Sequence, residues 1–569
     1  MILASAERIA RYTADGWWGV QTIDDLFRAH VAATPDREAV VDPPNRSEIA
    51  DGAVQRLCYR DLAELVGRLA TVLLEHGVAR DDVVAVQLPN VVELTACYLA
   101  AARIGAIVTP VPVQYREHEL SYCLSHTSAK AVLTATRIGK HAHAAMFAAM
   151  MPQLPALRYV MAWGNRTPTG VVSLDAAIAQ AMPTTTRSAA TANDVFTICW
   201  TSGTEARSKG VPRSHNEWLV IAPNIIEASR LSPGFRLLNP SPMVNMSGVS
   251  INIATWLTLG GTVVHHHPLS VPALLQQVRE EALDYIVAPP AVLNMLLQQP
   301  YLMDGIDFKR LRTIGSGGAP LSSWMVRGFQ DKFGVDIVNH FGSNEGASLA
   351  GTRMDIPAPE DRASFFPRLG VDGVPTKLSS NRRNRTKIVD LSTGLPVAAN
   401  GIPGELRFKG PTVFSGYWNA PELTSKAFDD EGYYRTGDLF EIAGDQQQFY
   451  KYVGRSKDIV IRGGMNISSE EIETLAIEHP AVREAAVVGY PDPILGERVC
   501  LVVALRDGQT VTLDDLKTFL RDAKKVAIYK LPERLRIVES LPRNPVGKIL
   551  KRDLRQQALE PAAAAGGAA

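Results

Sequence analysis

The stretch VFTICWTSGTEARSKG, residues 195–210, joins an apolar run to a loop of hydroxyls, glycine and cations. Residues 195–200 are typical of a buried strand. Residues 201–210 then place short donors, backbone amides and the charges of Arg207 and Lys209 on one loop, and such groups bind phosphate. The spacing is not that of a Walker A loop. The stretch therefore predicts a phosphate-binding loop at a sheet edge, although a plain turn is the alternative for a Ser/Thr/Gly cluster.

Strand-like runs alternate with helix-patterned segments such as residues 93–103 over the first three hundred or so residues. This alternation predicts an α/β fold in layers. The runs are residues 83–88, 106–110, 130–135 and 158–163, followed by 261–264, 285–288 and 312–315.

The sequence pattern changes near Gly401, where short strand-like runs and turns indicate a small β-rich subdomain. After residues 456–458 a separate pattern begins, in which Ser468 and Glu471 predict a capping box before a helix. Strands are expected at residues 483–489 and 499–505, and a helix after Thr512. We expect an N-terminal core over residues 1–455, a hinge at 456–458, a C-terminal lid at 459–560 and a disordered tail at 561–569.

Charge and cysteine content exclude several classes of protein. Lys plus Arg and Asp plus Glu both total 59, so no net field attracts nucleic acid or an anionic membrane. The five cysteines form no CxxC pair, which favours reduced thiols in a cytoplasmic protein over disulfides or a zinc site. No signal peptide or membrane span is indicated. The oligomeric state is left open, with a homodimer as one option.

Five short motifs occur in a specific order. They are TSGTEARSKG (201–210), GSGGAPLS (315–322), HFGSNEG (340–346), YRTGDL (434–439) with GRSKD (454–458), and PRNPVGK (542–548). In this order the chain resembles the adenylate-forming superfamily of acyl-CoA synthetases, peptide-synthetase adenylation domains and beetle luciferases. The resemblance implies two β-sheets flanked by helices plus a small β-barrel in a large N-terminal lobe, and a smaller mobile α+β domain.

The resemblance also implies which residues bind ATP. Glycines 317 and 318 would let the backbone approach the adenine ring, although such a run is by itself merely a loop. The implied ATP-binding residues are Thr201, Ser202, Gly203, Thr204, Lys209, Gly317, Gly318, Ala319, His340, Phe341, Gly342, Ser343, Asn344, Asp438 and Arg455.

Two charged side chains are predicted to be catalytic. A carboxylate that attacks the α-phosphorus of ATP brings two anions together, which costs about 4 kcal/mol per unit-charge pair at about 4 Å and an effective dielectric of about 20. Lys548, on a long stem in a Gly-Lys turn, can offset this repulsion, and Glu345 facing a triphosphate implies Mg²⁺ between them. The alternatives are an exposed loop lysine, a helix-starting glutamate and, for Asp438, a turn aspartate.

Transfer of the acyl group to a thiol is the second half-reaction that the resemblance implies. The C-terminal domain would rotate about Lys457, after which Gly464 is small enough to admit a pantetheine arm. This reaction requires CoA in addition to ATP and Mg²⁺.

Three positions depart from, or refine, the superfamily pattern. Glu205 adds a carboxylate to the phosphate loop, and Asn344 replaces a threonine while keeping a hydrogen-bonding group for the α-phosphate. Asn245 is a candidate for contact with the substrate acid, with a turn asparagine as the equal alternative. Met243 and Met246 nearby would give an adaptable apolar wall, which favours a bulky carbocyclic or aromatic acid.

The sequence thus predicts an AMP-forming acid:CoA ligase whose small-molecule substrate is a bulky carbocyclic or aromatic carboxylic acid. The alternative is an adenylating enzyme that stops at acyl-AMP or delivers it to a carrier protein or separate partner. Two further hypotheses are a non-catalytic nucleotide-binding protein and a luciferase-like oxygenase.

Overall fold

The computed structural model describes residues 1–201, 208–455, 458–462, 465–492, 495–524, 526, 528–544 and 547–559. Two compact units form. The first takes in the described chain up to Thr386 together with Phe408–Tyr434, and the second takes in Lys387–Arg407 and the described chain from Arg435. Of the predicted hinge at residues 456–458, the first two lie outside the described residues, so the hinge stays a prediction, as does the boundary of the lid. The tail at 561–569 lies outside the described residues.

Strands are short in the first unit and longer in the second. In chain order they are β1 (Glu38–Val41), β2 (Arg56–Cys58), β3 (Val83–Val86), β4 (Ile107–Pro110), β5 (Ala131–Ala135), β6 (Tyr159–Trp163), β7 (Val172–Ser173), β8 (Val195–Trp200), β9 (Gly210–Ser214), β10 (Arg236–Leu238), β11 (Thr262–Val264), β12 (Tyr285–Val287), β13 (Thr313–Gly317), β14 (Asp336–Gly342), β15 (Ser348–Gly351), β16 (Phe365–Pro367), β17 (Arg385–Val389), β18 (Gly404–Lys409), β19 (Tyr434–Ala443), β20 (Phe449–Arg455), β21 (Ile459–Arg462), β22 (Met465–Ser468), β23 (Val482–Asp492), β24 (Gly496–Leu505) and β25 (Arg534–Val538).

Most helices lie between the strands of the first unit. They are α1 (Ala6–Ala14), α2 (Ile23–Ala33), α3 (Arg46–Ile49), α4 (Tyr59–Glu75), α5 (Val92–Ile104), α6 (Glu117–Thr127), α7 (His143–Met150), α8 (Leu174–Gln180), α9 (His215–Leu219), α10 (Ala222–Ser229), α11 (Met246–Val249), α12 (Trp256–Leu259), α13 (Val271–Glu280), α14 (Pro290–Gln298), α15 (Ser323–Phe333), α16 (Pro359–Arg362), α17 (Pro421–Ala427), α18 (Ser469–Ile477), α19 (Leu513–Thr518) and α20 (Lys551–Leu559). A π-helical turn, Ser250–Thr255, continues α11.

Two parallel-rich sheets organise the first unit. The larger has the order β15-β14-β13-β12-β10-β11-β1-β2, with antiparallel strands only at its two ends. The smaller has the order β7-β6-β5-β3-β4-β8-β9, in which β9 alone runs antiparallel. All thirteen residues of α5 are buried, because this helix belongs to a core that includes residues of both sheets. The predicted α/β layers with two sheets are confirmed.

The second unit is α+β. Strands β22, β21, β24 and β23 form an antiparallel sheet, and β25 joins β24 in parallel. Apolar residues of this sheet form two clusters. One cluster also contains residues of α18 and α19, and the other contains residues of α20. The predicted β-rich region near Gly401 holds β17, β18, β19 and β20.

The predicted capping box of α18 is half formed. The Ser468 hydroxyl accepts a hydrogen bond from the Glu471 amide at 3.2 Å. The Glu471 carboxylate pairs instead with Lys530, at 2.7 Å between Oε2 and Nζ. An ion pair with a lysine has displaced the reciprocal bond that the sequence pattern predicts.

Buried histidines make the stability of the fold depend on pH. Burial lowers the pKa of His215 and His340 to about 4 and that of His265 to about 3, from an ordinary value of 6.5. A depressed histidine pKa contributes stability above pH 6.5 that is lost as the pH falls, because the unfolded state takes up the proton first. We expect each of them to cost about 2 kcal/mol of unfolding free energy between about pH 6.5 and about pH 5.

Chemical denaturation across that pH range measures this effect. The His265→Gln variant should lose less stability on acidification than the native protein, by about 2 kcal/mol. His118 is exposed, so His118→Gln is the matched control and should keep the native pH dependence. Equal slopes for the native protein and His265→Gln would contradict the expectation.

Candidate nucleotide site

The predicted phosphate loop is closed at its base by two hydrogen bonds. The Thr201 amide donates to the Lys209 carbonyl at 3.0 Å, and the Lys209 amide donates to the Thr201 hydroxyl at 3.1 Å. These residues follow β8 and precede β9, which pair antiparallel. The base is therefore fixed by sheet structure, as the strand signal predicts. The proposed phosphate ligands Ser202, Gly203 and Thr204, and also Glu205, lie outside the described residues.

Glu345 lies in a tight turn between β14 and β15. The Gly346 amide donates to the Ser343 carbonyl and the Ser343 amide to the Ala347 carbonyl, both at 3.0 Å. Gly346 has a φ of +104°, and a Cβ there would lie 1.8 Å from the Thr412 carbonyl oxygen. Only glycine fits this position. The turn thereby holds Glu345 with 7% of its surface exposed.

Tyr417 joins Glu345 to the loop. Its hydroxyl donates to Glu345 Oε1 at 2.9 Å, and Lys209 Nζ lies 5.2 Å from the centroid of its ring. The next residue, Trp418, donates its amide to the Gly210 carbonyl at 2.9 Å. A buried carboxylate, an aromatic ring and a cation thus meet at the base of the loop. Tyr417 was not predicted as a site residue, since it falls in the region of short strands and turns that follows Gly401.

The donor set around Glu345 fits Mg²⁺ bound jointly with phosphate. Among the described residues there is no group of three or more His, Cys, Asp or Glu side chains that could hold a metal by themselves. Mg²⁺ commonly uses one or two protein carboxylates and takes its other ligands from phosphate and water. A single buried carboxylate whose Oε1 is held by a neutral hydroxyl meets this requirement.

Arg213 supports the turn from inside the protein. It is fully buried in β9, and burial lowers its pKa to about 10, so it stays a cation at neutral pH. Its Nη1 donates to the Asn344 carbonyl at 3.0 Å and its Nη2 to the Thr412 carbonyl at 2.7 Å. The sequence analysis missed this residue, because the strand that buries it was not predicted and arginine side chains are mostly exposed.

The Asn344 side chain is engaged by the protein on both sides. Its Nδ2 donates to the Trp200 carbonyl at 3.0 Å, and its Oδ1 accepts from the Met246 amide at 2.7 Å. The adjacent Ser343 hydroxyl is buried and has no hydrogen-bond partner among the described residues. The Asn344 amide, predicted to contact the α-phosphate, is thus occupied by protein partners. The hydroxyl of Ser343, also a predicted ATP-binding residue, is left for a ligand.

The proposed adenine-binding residues follow two neighbouring parallel strands. Gly317 on β13 is paired with His340 on β14, and a Cβ on Gly317 would lie 2.1 Å from the His340 carbonyl oxygen. Gly318 has a φ of +78° and open space where a Cβ would stand. The His340 ring lies 3.3 Å from the Tyr285 hydroxyl. The backbone at Gly317 can thus pack closely against that of His340 only because Gly317 lacks a side chain. Ala319, two residues further on, is exposed.

The residues proposed to face the acid sit at the start of α11. Asn245 caps this helix by accepting from the Gly248 amide at 3.2 Å, so its carbonyl oxygen serves the turn role that was the alternative. Met243 is wholly buried in the core. Met246 is half-buried, and its Cγ lies 3.9 Å from where a Cβ on Gly342 would stand. Of the predicted methionine wall, Met246 alone borders the HFGSNEG motif, whose Phe341 stacks edge-on with Phe366.

Two more predicted residues form a pair in the second unit. Asp438 on β19 stands opposite Arg455 on β20, and Arg455 Nε lies 3.2 Å from Asp438 Oδ1. Asp438 is buried, and its amide donates to the Thr436 hydroxyl at 3.1 Å. The carboxylate is thus oriented by a cation and a turn.

Lys548 ends a turn of the second unit. Its amide donates to Asn544 Oδ1 at 2.9 Å and its carbonyl accepts from the Asn544 amide at 2.8 Å. Gly547 has a φ of +84°, which the Gly-Lys order of the motif provides. The Lys548 side chain is exposed. The proposed hinge Lys457 and tunnel residue Gly464 lie outside the described residues.

Comparison with known proteins gives a consistent result. A family model described as AMP-binding enzyme matches residues 27–418, and one described as AMP-binding enzyme C-terminal domain matches residues 471–548. A medium-chain fatty-acid–CoA ligase of Escherichia coli is 32% identical, covering 97% of this chain and 93% of the relative. A 2-hydroxy-7-methoxy-5-methyl-1-naphthoate–CoA ligase of Streptomyces carzinostaticus is 31% identical, covering 96% and 95%.

A solved structure agrees with these matches. The ATP-bound MatB of Rhodopseudomonas palustris superposes with a TM-score of 0.77 at 27% identity, covering 94% of this chain and 99% of that one. In the part of the chain that the structure describes, no helix has the length and apolar character needed to cross a membrane.

Proposed function

This chain belongs to the AMP-binding enzyme family, and from that premise we propose that it is an acid:CoA ligase for a bulky carbocyclic or aromatic carboxylic acid. The enzyme is an ATP-dependent, AMP-forming acyl-CoA synthetase that uses Mg²⁺ and CoA. A carboxylate oxygen bonds to the α-phosphorus of ATP while pyrophosphate leaves. A thiolate sulfur then bonds to the acyl carbon while AMP leaves.

The cluster of Lys209, Tyr417 and Glu345 is the observation that carries the proposal. A buried carboxylate beside a phosphate-binding loop repels ATP unless a hard cation lies between the two. Glu345 would hold Mg²⁺, and the chemistry that this ion would supply is stabilisation of the negative charge that develops on the pyrophosphate. Lys209 and Thr201 would bind the outer phosphates, and Tyr417 keeps Glu345 in place.

Three residues of the second unit, which the sequence analysis places among the ATP-binding and catalytic residues, complete the proposal. Asp438 is a hydrogen-bond acceptor for the two ribose hydroxyls, and Arg455 orients that carboxylate through the 3.2 Å ion pair. Lys548 supplies the positive charge that lets an anionic acid approach the α-phosphate. Orientation of acid and ATP contributes on the order of 7 to 11 kcal/mol to lowering the barrier.

The size of the acid is inferred from the surroundings of α11. Met246 is a flexible apolar side chain beside Gly342 and can adapt to a flat or saturated ring. The naphthoate–CoA ligase among the relatives supports a ring-shaped acid. A linear medium-chain acid, as named for the E. coli relative, is the competing substrate.

An acid panel with two acceptors tests this proposal. ATP–pyrophosphate exchange is measured with benzoate, cyclohexanecarboxylate, naphthoate, octanoate and acetate, and thioester yield with CoA or a phosphopantetheinylated carrier protein. We expect the ring acids to give the highest kcat/KM and CoA to accept the acyl group. A preference for octanoate would overturn the substrate class, and thioester on the carrier alone would overturn CoA as the acceptor.

A further inference from the structure

We propose that Asn344 is a positioning residue that couples nucleotide binding to acid binding. The inference rests on the proposed function, because it concerns the same two substrates. It assigns to the Asn344 side chain a role within the protein instead of a contact with the α-phosphate.

The two hydrogen bonds of the Asn344 amide connect two segments that are proposed to bind different substrates. Trp200, whose carbonyl accepts from Nδ2 at 3.0 Å, is the last residue before the phosphate loop. Met246, whose amide donates to Oδ1 at 2.7 Å, is the first residue of α11 and borders the proposed acid side. One planar side chain thus spans from the nucleotide loop to the acid-facing helix.

The backbone of Asn344 is held rigidly at the same time. Its carbonyl accepts from the buried Arg213, whose other nitrogen is bound by the Thr412 carbonyl. Arg213 lies on β9, directly beyond the loop. Any shift of β8 and β9 on phosphate binding would therefore be passed to Asn344, because Gly346 packs against the Thr412 carbonyl and leaves the turn no room to absorb it.

An amide is suited to this task in a way that a threonine hydroxyl is not. The amide carries its donor and its acceptor on separate atoms, so it can bind a carbonyl and an N–H at once in fixed directions. A threonine carries both functions on one oxygen. Asparagine at position 344 therefore makes the helix that faces the acid responsive to the state of the loop.

The coupling should be measurable as a reciprocal change in affinity, typically about 5- to 150-fold. In the full-length protein, acid affinity is measured by calorimetry with and without a non-hydrolysable ATP analogue. We expect the analogue to tighten acid binding at least about fivefold in the native protein and less than about twofold in Asn344→Leu and in the milder Asn344→Ser.

Asn339→Leu is the matched control. Asn339 is a buried asparagine of β14 whose Nδ2 also donates to backbone carbonyls, those of Arg362 and Ala363 at 3.3 Å and 3.0 Å. Its loss should lower stability as much as that of Asn344. The ATP–acid coupling should nevertheless stay at the native value, since the hydrogen-bond partners of Asn339 lie neither next to the phosphate loop nor on α11.

Hydrogen exchange separates this inference from the proposed function. The analogue alone should slow exchange of the amides of Met246–Val249 in the native protein and in Asn339→Leu, and not in Asn344→Leu. Protection that persists in Asn344→Leu overturns the role of Asn344. A native protein that binds the analogue and protects these amides, but activates no acid of the panel, overturns the proposed function alone. Failure to bind the analogue overturns both.

Discussion

Replacing Lys548 by alanine is expected to lower acid-dependent pyrophosphate release about 10³-fold, because it leaves about 4 kcal/mol of repulsion between the acid and the α-phosphate unopposed. Thioester formation from preformed acyl-AMP should keep near-native rates, since an acyl-adenylate has already lost the second anion. Pyrophosphate release and thioester yield are therefore measured separately in the same preparation.

Arg552→Ala is the control for charge. Arg552 is an exposed cation close to Lys548 in sequence, with 69% of its side chain exposed and an ion pair to Asp553. Its loss removes one positive charge from the same unit and should leave both half-reactions unchanged. Undiminished pyrophosphate release in Lys548→Ala would remove this lysine from the mechanism, and equal losses in both half-reactions would indicate a folding defect.

Replacing Glu345 by glutamine is expected to lower adenylation on the order of 10²- to 10³-fold, the effect of weakening a bound metal's stabilisation by several kcal/mol. Glutamine has the same shape and still accepts from the Tyr417 hydroxyl. The carboxylate charge alone is lost. Raising the Mg²⁺ concentration should restore part of the rate, and a titration of rate against Mg²⁺ measures the shift.

Two further variants bracket the Glu345 result. Tyr417→Phe removes the 2.9 Å bond to Glu345 and keeps the ring near Lys209, so the Mg²⁺ requirement should rise only about tenfold. Glu422 is an exposed carboxylate of α17, and Glu422→Gln should behave as the native protein. A native Mg²⁺ dependence in Glu345→Gln would contradict the assignment of Glu345 to the metal.

The local pattern of apolar residues was sufficient to predict several strands and helices together with their bounds. The apolar run of residues 195–200 became β8 with the same bounds, and the pattern at 93–103 became the helix Val92–Ile104. Strand β9 was not predicted, because Pro212 and Arg213 argue against a strand. Proline is tolerated there since β9 lies at the edge of its sheet. The order of strands depends on contacts between distant residues and was beyond the sequence.

The candidate site was predictable to the extent that it is carried by motifs. Glu345 and Lys209 were predicted separately, and both contact Tyr417, which lies 72 residues beyond Glu345 in the chain. The sequence could not show that the amide of Asn344 faces Trp200 and Met246, since the direction of a side chain depends on packing. The roles of Lys548, Asp438 and Arg455 stay predictions, of which the Lys548→Ala variant tests the first.

Transfer of oxygen from the acid to AMP tests the central claim most directly. The acid is labelled with ¹⁸O in its carboxylate, turned over with ATP, Mg²⁺ and CoA, and the products are analysed by mass spectrometry. Attack of the carboxylate on the α-phosphorus predicts one ¹⁸O atom in AMP and none in pyrophosphate. Label in inorganic phosphate, with ADP as the nucleotide product, or AMP that contains no label, would contradict an acyl-adenylate intermediate.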